Sequence, residues 1–472
     1  MRQITLHFKV IFKSSNMEQP SSNFSDYVAA GPAHGIWQRN AVTIKGIVIF
    51  FLVFALLIPA FMIQDLISER EQRQREAILE VSSKWGQSQT VSGPVLAIPF
   101  EQISRDSDNK EVSRATKYAY FLPEMLSVNT VVNPEKRHRG IFDVVLYSSR
   151  ITLEGSFNPP VMQNLIPAGA AILWEKASLL VGIPDLRGLE DQVKMDWSGQ
   201  TLVFDPGVPV AGVAESGIHV PVMLNPDGAG PYSFRIDLAL KGSGSLFFTP
   251  VGKITTVKMN SPWSDPGFTG AFLPDQKTLS AAGFNADWKV LNLNRNYPQQ
   301  WTSDQLMSFS NSAFGVDFLL PVDNYQKSMR SVKYAILFIS LTFLTVFFIE
   351  MRHRNRVHPF QYALIGLALV IFYTLLVSIS EQLSFNSAYG IAAAMTIGLT
   401  GLYARSLFDS NRMALLVSGT MAVLYGFLFV VLQQQDYALL IGSLGLFVIL
   451  AVVMYVSRRV NWEQEAAQQA AT

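Results

Sequence analysis

Cysteine is absent from all 472 residues, so a disulfide framework, a thiolate nucleophile and a Cys-ligated zinc site are excluded. Charge is scarce as well. Asp, Glu, Lys and Arg make up 15% of the chain, against about 25% in ordinary globular proteins. Their balance is +1, so no global field singles out nucleic acid or an acidic polymer as a partner. The histidines are scattered as His7, His34, His138, His219, His353 and His358, and no pair has ligand spacing on a helix face. No Gly-x-Ser-x-Gly elbow and no His-Glu-x-x-His occurs. Gly252-Lys253 is followed by Ile254 and lacks the upstream glycine of a phosphate loop. These absences point away from an enzyme, from a metal and from any cofactor.

What is abundant is apolar sequence, unevenly placed. Mean hydropathy is +0.23. About 20 apolar residues cross a bilayer core as a helix. Ile44–Ile63 meets that length, as do Val332–Ile349, Phe360–Ser378, Ala388–Tyr403, Met413–Leu432 and Tyr437–Val456. The first run is long for a signal peptide and lacks a small-x-small exit, so it reads as an uncleaved signal anchor. The organisation expected is a cytoplasmic tail over 1–43, a first span over 44–63 and an outer domain over 64–331. A five-span block over 332–456 and a second tail over 457–472 follow. Met1 to Asn16 precede Met17, a second candidate start, and Ser21–Gly35 reads as a flexible tail.

Basic residues alternate from loop to loop. Lys9, Lys13, Arg39 and Lys45 precede the first span. Arg352, Arg354 and Arg356 follow the second, Arg405 and Arg412 the fourth, and Arg458 and Arg459 the sixth. Ser380–Ser387 and Gln433–Asp436 contain neither Lys nor Arg. By the positive-inside rule both termini are cytoplasmic and the 64–331 domain is outside.

Beyond the first span, Ser68–Lys84 is dense in charge, with Glu69/Arg73 and Glu71/Arg75 in favourable i,i+4 order, and reads as a helical stalk. Period-two alternation then marks strands at Phe142–Tyr147, Ile151–Phe157, Phe234–Leu240 and Lys253–Met259, punctuated by Gly and Pro. A short helix is expected around Asp185–Asp191. The fold class expected is a polytopic α-helical membrane protein of about six helices, arranged one plus five. A large β-rich, sandwich-like α+β periplasmic domain is inserted after the first helix, as one antiparallel sandwich or a pair. Trp85, Trp174, Trp197, Trp263, Trp288 and Trp301 read first as packing residues, with a lipid, glycan or peptide groove as the alternative.

Polar residues inside the apolar block are the functional candidates. Tyr362, Gly366, Leu369, Tyr373 and Ser380 follow one face of the third span. Tyr389, Ala393, Thr396, Thr400 and Tyr403 follow one face of the fourth, beside a Gly390/Ala394/Gly398 row of small residues. Glu381 reads as the only acidic residue of spans two to six near an apolar core, and intramembrane carboxylates are functional candidates by default. His358-Pro-Phe-Gln-Tyr opens the third span, with Pro359 at the first helical position. The candidate set is Glu381, His358, Gln361, Tyr373, Thr396 and Tyr389. Their plainer reading is packing, with buried hydroxyls bonding between helices.

Longer motifs carry a resemblance. Trp85-Gly-Gln-Ser-Gln-Thr-Val-Ser-Gly-Pro-Val-Leu-Ala-Ile-Pro, Lys241-Gly-Ser, Pro250-Val-Gly, Ser261-Pro-Trp, Phe268-Thr-Gly-Ala-Phe-Leu-Pro and Gly283-Phe-Asn-Ala-Asp-Trp resemble the outer domain of the CreD inner-membrane protein family. In the apolar block Phe348-Ile-Glu, Val357-His-Pro-Phe-Gln-Tyr and Phe372-Tyr-Thr-Leu-Leu-Val-Ser-Ile-Ser-Glu resemble it too. The resemblance covers roughly residues 65–457. It implies a role in cell-envelope integrity, induction by a two-component system under nutrient and β-lactam stress, and colicin tolerance when expression is altered. It implies no catalytic residues. Where that pattern expects His after the Ser-Glu pair, this chain has Gln382, which argues against proton handling.

The expected partners are the lipid bilayer and an envelope protein or lipid, with no nucleic acid and an oligomeric state left open. The expected function is non-enzymatic envelope maintenance. A transporter or lipid-moving protein using the third and fourth spans is the alternative.

Overall fold

A computed structural model describes residues 41–105, 111–163, 165–209, 212–225, 230–318, 324–353, 357–434 and 437–458. The expectations about Lys9, Lys13, Arg39, Met17 and Ser21–Gly35, and about Arg354, Arg356 and Arg459, lie outside these residues. The chain divides into two compact units, 53–442 and the two ends, 1–52 with 443–472.

Helix α1 (Ala41–Trp85) joins the first apolar run and the charged stalk without interruption. Within the larger unit, Val53, Leu56, Ala60, Ile63 and Ile67 are buried at three- and four-residue spacing, one stripe of a helix. Past Asp65 the helix is sustained by local ion pairs. Glu69–Arg73, Glu71–Arg75 and Glu80–Lys84 are each i,i+4 pairs, worth a few tenths of a kcal/mol apiece, about 0.3–0.5. The segment from Ile63 to Trp85 is about 33 Å long at the α-helical rise.

The β-rich part has two mixed sheets. The first runs Pro266–Gly270, Phe314–Phe318, Ser245–Phe248, Gln89–Arg105, Ser178–Gly182, Gly217–Pro221, Asp205–Pro206, with Glu111–Phe121, Gln300–Thr302 and Ala171–Ile172 paired alongside. The second runs Gln276–Ser280, Gly283–Leu291, Ile254–Ser261, Met125–Arg139, Phe142–Phe157, Tyr232–Ser243, Lys194–Trp197, Gln200–Val203. The expected strands fall inside these except that Lys253 precedes the strand that begins at Ile254, and Phe142–Tyr147 and Ile151–Phe157 are halves of one 16-residue strand.

The sheets are not purely antiparallel. Gln89–Val91 pairs parallel with Leu246–Phe248, and Met125–Val131 pairs parallel with Ile254–Asn260. Period two fixes which face of a strand is buried, but not which neighbour it takes. Phe234, Ile236, Leu238 and Leu240 are buried alternately along one strand and meet Leu96, Ile98 and Leu246 of the other sheet in one contiguous core. Each such side chain contributes about 1.5–3 kcal/mol on burial. The helix expected around Asp185–Asp191 is only a 3₁₀ turn, Leu186–Gly188, capped by the Asp185 side chain. At Gly188 a Cβ would lie 2.3 Å from Lys241 O, and the chain then turns extended, with Glu190 N donating to Ala239 O of the neighbouring strand instead of to a helical carbonyl.

The helical block follows. Helix α2 (Asn324–Lys333) and helix α3 (Ala335–His353) meet at a 46° bend, where a single span from Val332 was expected. Helices α4 (Pro359–Ser380), α5 (Phe385–Phe408) and α6 (Asn411–Gln433) pack in sequence. Helix α7 (Ala438–Ser457) is apolar throughout. Among the described residues, four helices are long and apolar enough to cross a membrane, and five if α2 and α3 count as one span. The apolar part of α7 that is described, Leu439–Tyr455, is shorter than that measure.

Candidate functional site

Glu381 caps the C-terminus of α4, where the helix dipole disfavours a negative charge. Two groups offset that cost. The Tyr325 hydroxyl on α2 donates to Glu381 Oε1 at 3.0 Å, and Arg70 Nε on α1 lies 3.7 Å from the same oxygen. The Glu381 side chain is 14% exposed and that of Arg70 is 36% exposed. Asn324 Nδ2 donates to Ser380 O at 2.8 Å, so α2 is held to the end of α4 by two adjacent bonds. Three helices far apart in sequence therefore converge at Glu381.

His358 and Gln361 sit at the opposite end of α4. Phe360 N donates to His358 Nδ1 at 3.2 Å and His358 N donates to Gln361 Oε1 at 2.8 Å. This is a capping box with a proline inside it, so both residues are used in starting the helix. Next to it lies a carboxylate that the sequence reading missed. Glu350 is only 9% exposed. Val357 N donates to its Oε1 and the Tyr362 hydroxyl to its Oε2, each at 2.9 Å. Glu381 is thus not the only acidic group near an apolar core. Glu350 directly follows the expected second span, Val332–Ile349, and is buried where Val357 N and the Tyr362 hydroxyl meet it. The Phe348-Ile-Glu motif was the one signal available.

Tyr373, Tyr389 and Thr396 lie between these ends, all buried. The Tyr389 hydroxyl donates to Tyr425 O at 2.7 Å, bonding α5 to α6 as expected. The threonines behave differently. Thr396 and Thr400 donate to the carbonyls of Ala392 and Thr396, at 2.9 and 2.8 Å, so they bond within their own helix and not between helices. Four residues back is the nearest acceptor a threonine on a helix can reach. Phe372, Tyr389 and Tyr425 pack as an aromatic cluster, with Phe372–Tyr425 centroids 4.6 Å apart and Tyr389–Phe429 5.3 Å. Gly390 and Gly398 have nothing within 4 Å of an added Cβ, so the small-residue row does not mediate the close approach expected of it. That approach occurs at Gly366, where a Cβ would meet Leu56 Cδ1 at 2.1 Å.

A second cluster joins the stalk to the β-rich part. The Trp85 indole donates to Tyr147 O at 3.3 Å. Arg137 and Lys241 lie 5.1 and 4.5 Å from its ring centroid. Trp197, Trp288 and Trp301 are core residues, whereas Trp85, like Trp263 with Lys136 over its ring, has mixed surroundings. A cleft of about 260 Å³ is lined by Glu80, Lys84, Trp85, Arg137 and Arg139. Its cations are already paired, Lys84 and Arg139 with Glu80 and Arg137 with Glu135, and so is Lys241 over the Trp85 ring, with Glu190. The hydrogen bonds from Lys84 and then Arg139 hold the Glu80 carboxyl below its ordinary range. This geometry is a clamp.

Asp185 completes it by accepting from Gln87 N at 3.0 Å and Arg187 Nε at 2.9 Å, while Arg187 also donates to Ser83 O at the end of α1. The Arg187 hydrogen bond outweighs burial and holds Asp185 below the usual carboxylate range. Tyr147 is fully buried and donates to Ser245 O at 2.7 Å, binding one sheet to the other. Gly242, of the Lys241-Gly-Ser motif, leaves room for that hydroxyl, which a Cβ would approach to 2.2 Å.

Comparison with known proteins follows the same residues. The inner membrane protein CreD of Escherichia coli (strain K12) is 31% identical over 417 residues, 88% of this chain and 92% of that protein. Among solved structures, an M1 zinc metallopeptidase of Deinococcus radiodurans aligns at 12% identity and a TM-score of 0.19, covering 36% of this chain and 39% of that one. A two-domain M1 zinc metallopeptidase bound to L-arginine aligns at 11% identity and a TM-score of 0.17 over the same shares. Likeness that weak carries no argument about fold or chemistry. The family model described as inner membrane protein CreD, by contrast, matches residues 41–463, from the first apolar helix through the stalk clamp and past the last helix, and the chain belongs to the CreD family of inner membrane proteins.

Proposed function

We propose that this inner-membrane protein maintains the cell envelope without catalysing a reaction. Its β-rich domain lies on the periplasmic side, where it binds an envelope protein or lipid, and six spans anchor it with both termini in the cytoplasm. The observation that carries this reading is the attachment of the domain. Helix α1 runs from its apolar segment into the β-rich part unbroken, is clamped there by Asp185 and Arg187, and meets Glu381 through Arg70. A domain held this way at both ends of its stalk suits a fixed presentation of a binding surface. The alternation of basic loops supports the orientation.

A transport route along the third and fourth spans is the second reading. The side chains proposed to line it support packing instead, since Thr396 and Thr400 bond within their own helix and Tyr389 bonds to Tyr425 O.

The test is envelope permeability to a dye and a bulky antibiotic in a strain lacking the gene, complemented with the full protein or with the β-rich domain on α1 alone. Restoration of the barrier by the anchored domain supports the binding reading. Failure of the anchored domain, together with failure of a normally expressed Glu381→Ala protein, moves the activity into the helical block and overturns it.

A further inference from the structure

Helix α2 carries its charge on one side. Tyr325, Ser328, Ser331 and Val332 form its buried face, packed on α4 and α6. Gln326, Arg330 and Lys333, four and three residues apart, form the exposed one. Lys327 flanks it, with Nζ 5.4 Å from the centroid of the Phe385 ring at the start of α5. Among the described residues none of these three cations has a carboxylate partner, whereas on the stalk Arg70, Arg73, Arg75 and Lys84 each pair with a glutamate.

The stripe lies where a bilayer surface would fall. Helix α3 has 19 residues and ends in Glu350-Met-Arg-His, so its apolar part falls short of the about 20 residues of a span, and the last turn of α2 completes it. Ile336, three residues beyond Lys333, is apolar and 44% exposed, as a lipid-facing side chain is. The other end of α2 is fixed at the same boundary. Asn324 bonds to Ser380 O where α4 ends, and Lys327 covers Phe385 where α5 begins. Charge that faces outward at such a boundary is costly unless something neutralises it, and no carboxylate of the described residues does.

We propose that Lys327, Arg330 and Lys333 bind the phosphate of an anionic phospholipid headgroup. The guanidinium of Arg330 is a planar fork that fits two phosphate oxygens, and each lysine adds a compact charge beside it. Their aliphatic stems can lie along apolar surface while the charged ends reach headgroup level. The 46° bend turns α2 off the axis of α3, which sets the stripe obliquely at that level. The lipid belongs to the outer leaflet in the orientation proposed above. The site itself rests only on the reading of α2–α6 as a membrane block, and is independent of that orientation and of what the β-rich domain binds.

The test titrates the full chain in neutral detergent with phosphatidylglycerol or phosphatidylcholine, and reads bound lipid by native mass spectrometry. Arg330→Gln/Lys333→Gln removes two cations of the stripe. Arg405→Gln/Arg412→Gln removes two exposed cations from the end of α5 and the start of α6, as a control for charge near any helix end. The natural chain is expected to prefer phosphatidylglycerol. The α2 variant should lose about 25-fold in affinity for it, a factor of about five for each cation, while the control variant keeps it. An unchanged affinity in the α2 variant, an equal fall in both variants, or no preference for the anionic lipid overturns the site. Displacement of phosphatidylglycerol by equimolar inorganic phosphate overturns it too, because the free anion is then the ligand. Should the double α2 variant unfold early, Lys333→Gln alone, with an expected loss of about fivefold, carries the same comparison.

Discussion

Tyr325 and Glu381 are 56 residues apart in sequence and joined by a 3.0 Å hydrogen bond, hydroxyl to carboxylate, with the tyrosine buried and the carboxylate nearly so. The bond sets the end of α4 against the amphipathic helix that precedes the bent span. Around it gather Arg70 from the stalk and Asn324 from the first turn of α2. This is the place where three distant segments are made to agree.

Replacing Glu381 by Ala removes the 3.0 Å bond that the Tyr325 hydroxyl donates to it. A bond to a charged group contributes about 1.5–3 kcal/mol, so the expected outcome is a lowered thermal unfolding temperature in detergent micelles. Glu381→Gln keeps an acceptor at the neutral value of about 0.5–1.5 kcal/mol and loses the pairing with partly exposed Arg70, worth under about 1 kcal/mol after solvent screening, so it should lose less than Glu381→Ala. Equal loss in the two variants would show that the Arg70 pairing, not the Tyr325 bond, matters there.

Gly366 and Gly398 should respond oppositely to alanine. A Cβ at Gly366 meets Leu56 at 2.1 Å and Phe343 at 2.8 Å, so Gly366→Ala is overpacked by about 1–3 kcal/mol. Gly398 has nothing within 4 Å, and Gly398→Ala gains up to about 1 kcal/mol of helix propensity. Paired unfolding curves of the two variants read the difference directly.

Acid should loosen the stalk clamp. Asp185 is held below its ordinary range by Arg187, so its folded-state pKa is depressed. The stability it contributes is therefore complete above the unfolded value, about 3.9, and is lost as pH falls through the lower folded value. Arg187 is 57% exposed, which keeps the effect modest. Between pH 5 and pH 3, unfolding temperature should fall more steeply for the natural chain than for Asp185→Asn, which starts lower and carries no titrating group there. Parallel curves would assign the clamp to the backbone bonds alone.

Arg295 is 8% exposed and donates to Tyr297 O at 2.5 Å and Val251 O at 3.2 Å, with the Gln299 amide oxygen as a further acceptor. Burial lowers its pKa. Arg295→Met matches its length but strands those carbonyls, at about 1–3 kcal/mol each where they stay dry. Equilibrium denaturation of the full chain measures it. A loss under about 0.5 kcal/mol would mean that water replaces the guanidinium.

Some of this was legible in the chain itself. The apolar runs, the charged continuation of α1, the alternation along Tyr232–Ser243 and the His358–Gln361 helix start all follow from contacts within a few residues, and such contacts leave periods in the sequence. The family motifs pointed to Trp85 and Lys241-Gly242, whose reason appears once the Trp85 ring and the Tyr147 hydroxyl are seen against them. The parallel pairings left no such mark, because a strand's period is indifferent to the direction of its neighbour. Neither did the burial of Glu350, which depends on α4 returning over it, nor the meeting of Arg70, Tyr325 and Glu381. The hydroxyls divide the same way. That Thr396 sits on a helix is a local fact, whereas Ser331, expected at the end of the outer domain, lies on the helix Asn324–Lys333, and which hydroxyl bonds to its own carbonyl is decided by the surface packed against that face. Local periodicity determined the elements; only packing between distant segments decided which polar groups find partners.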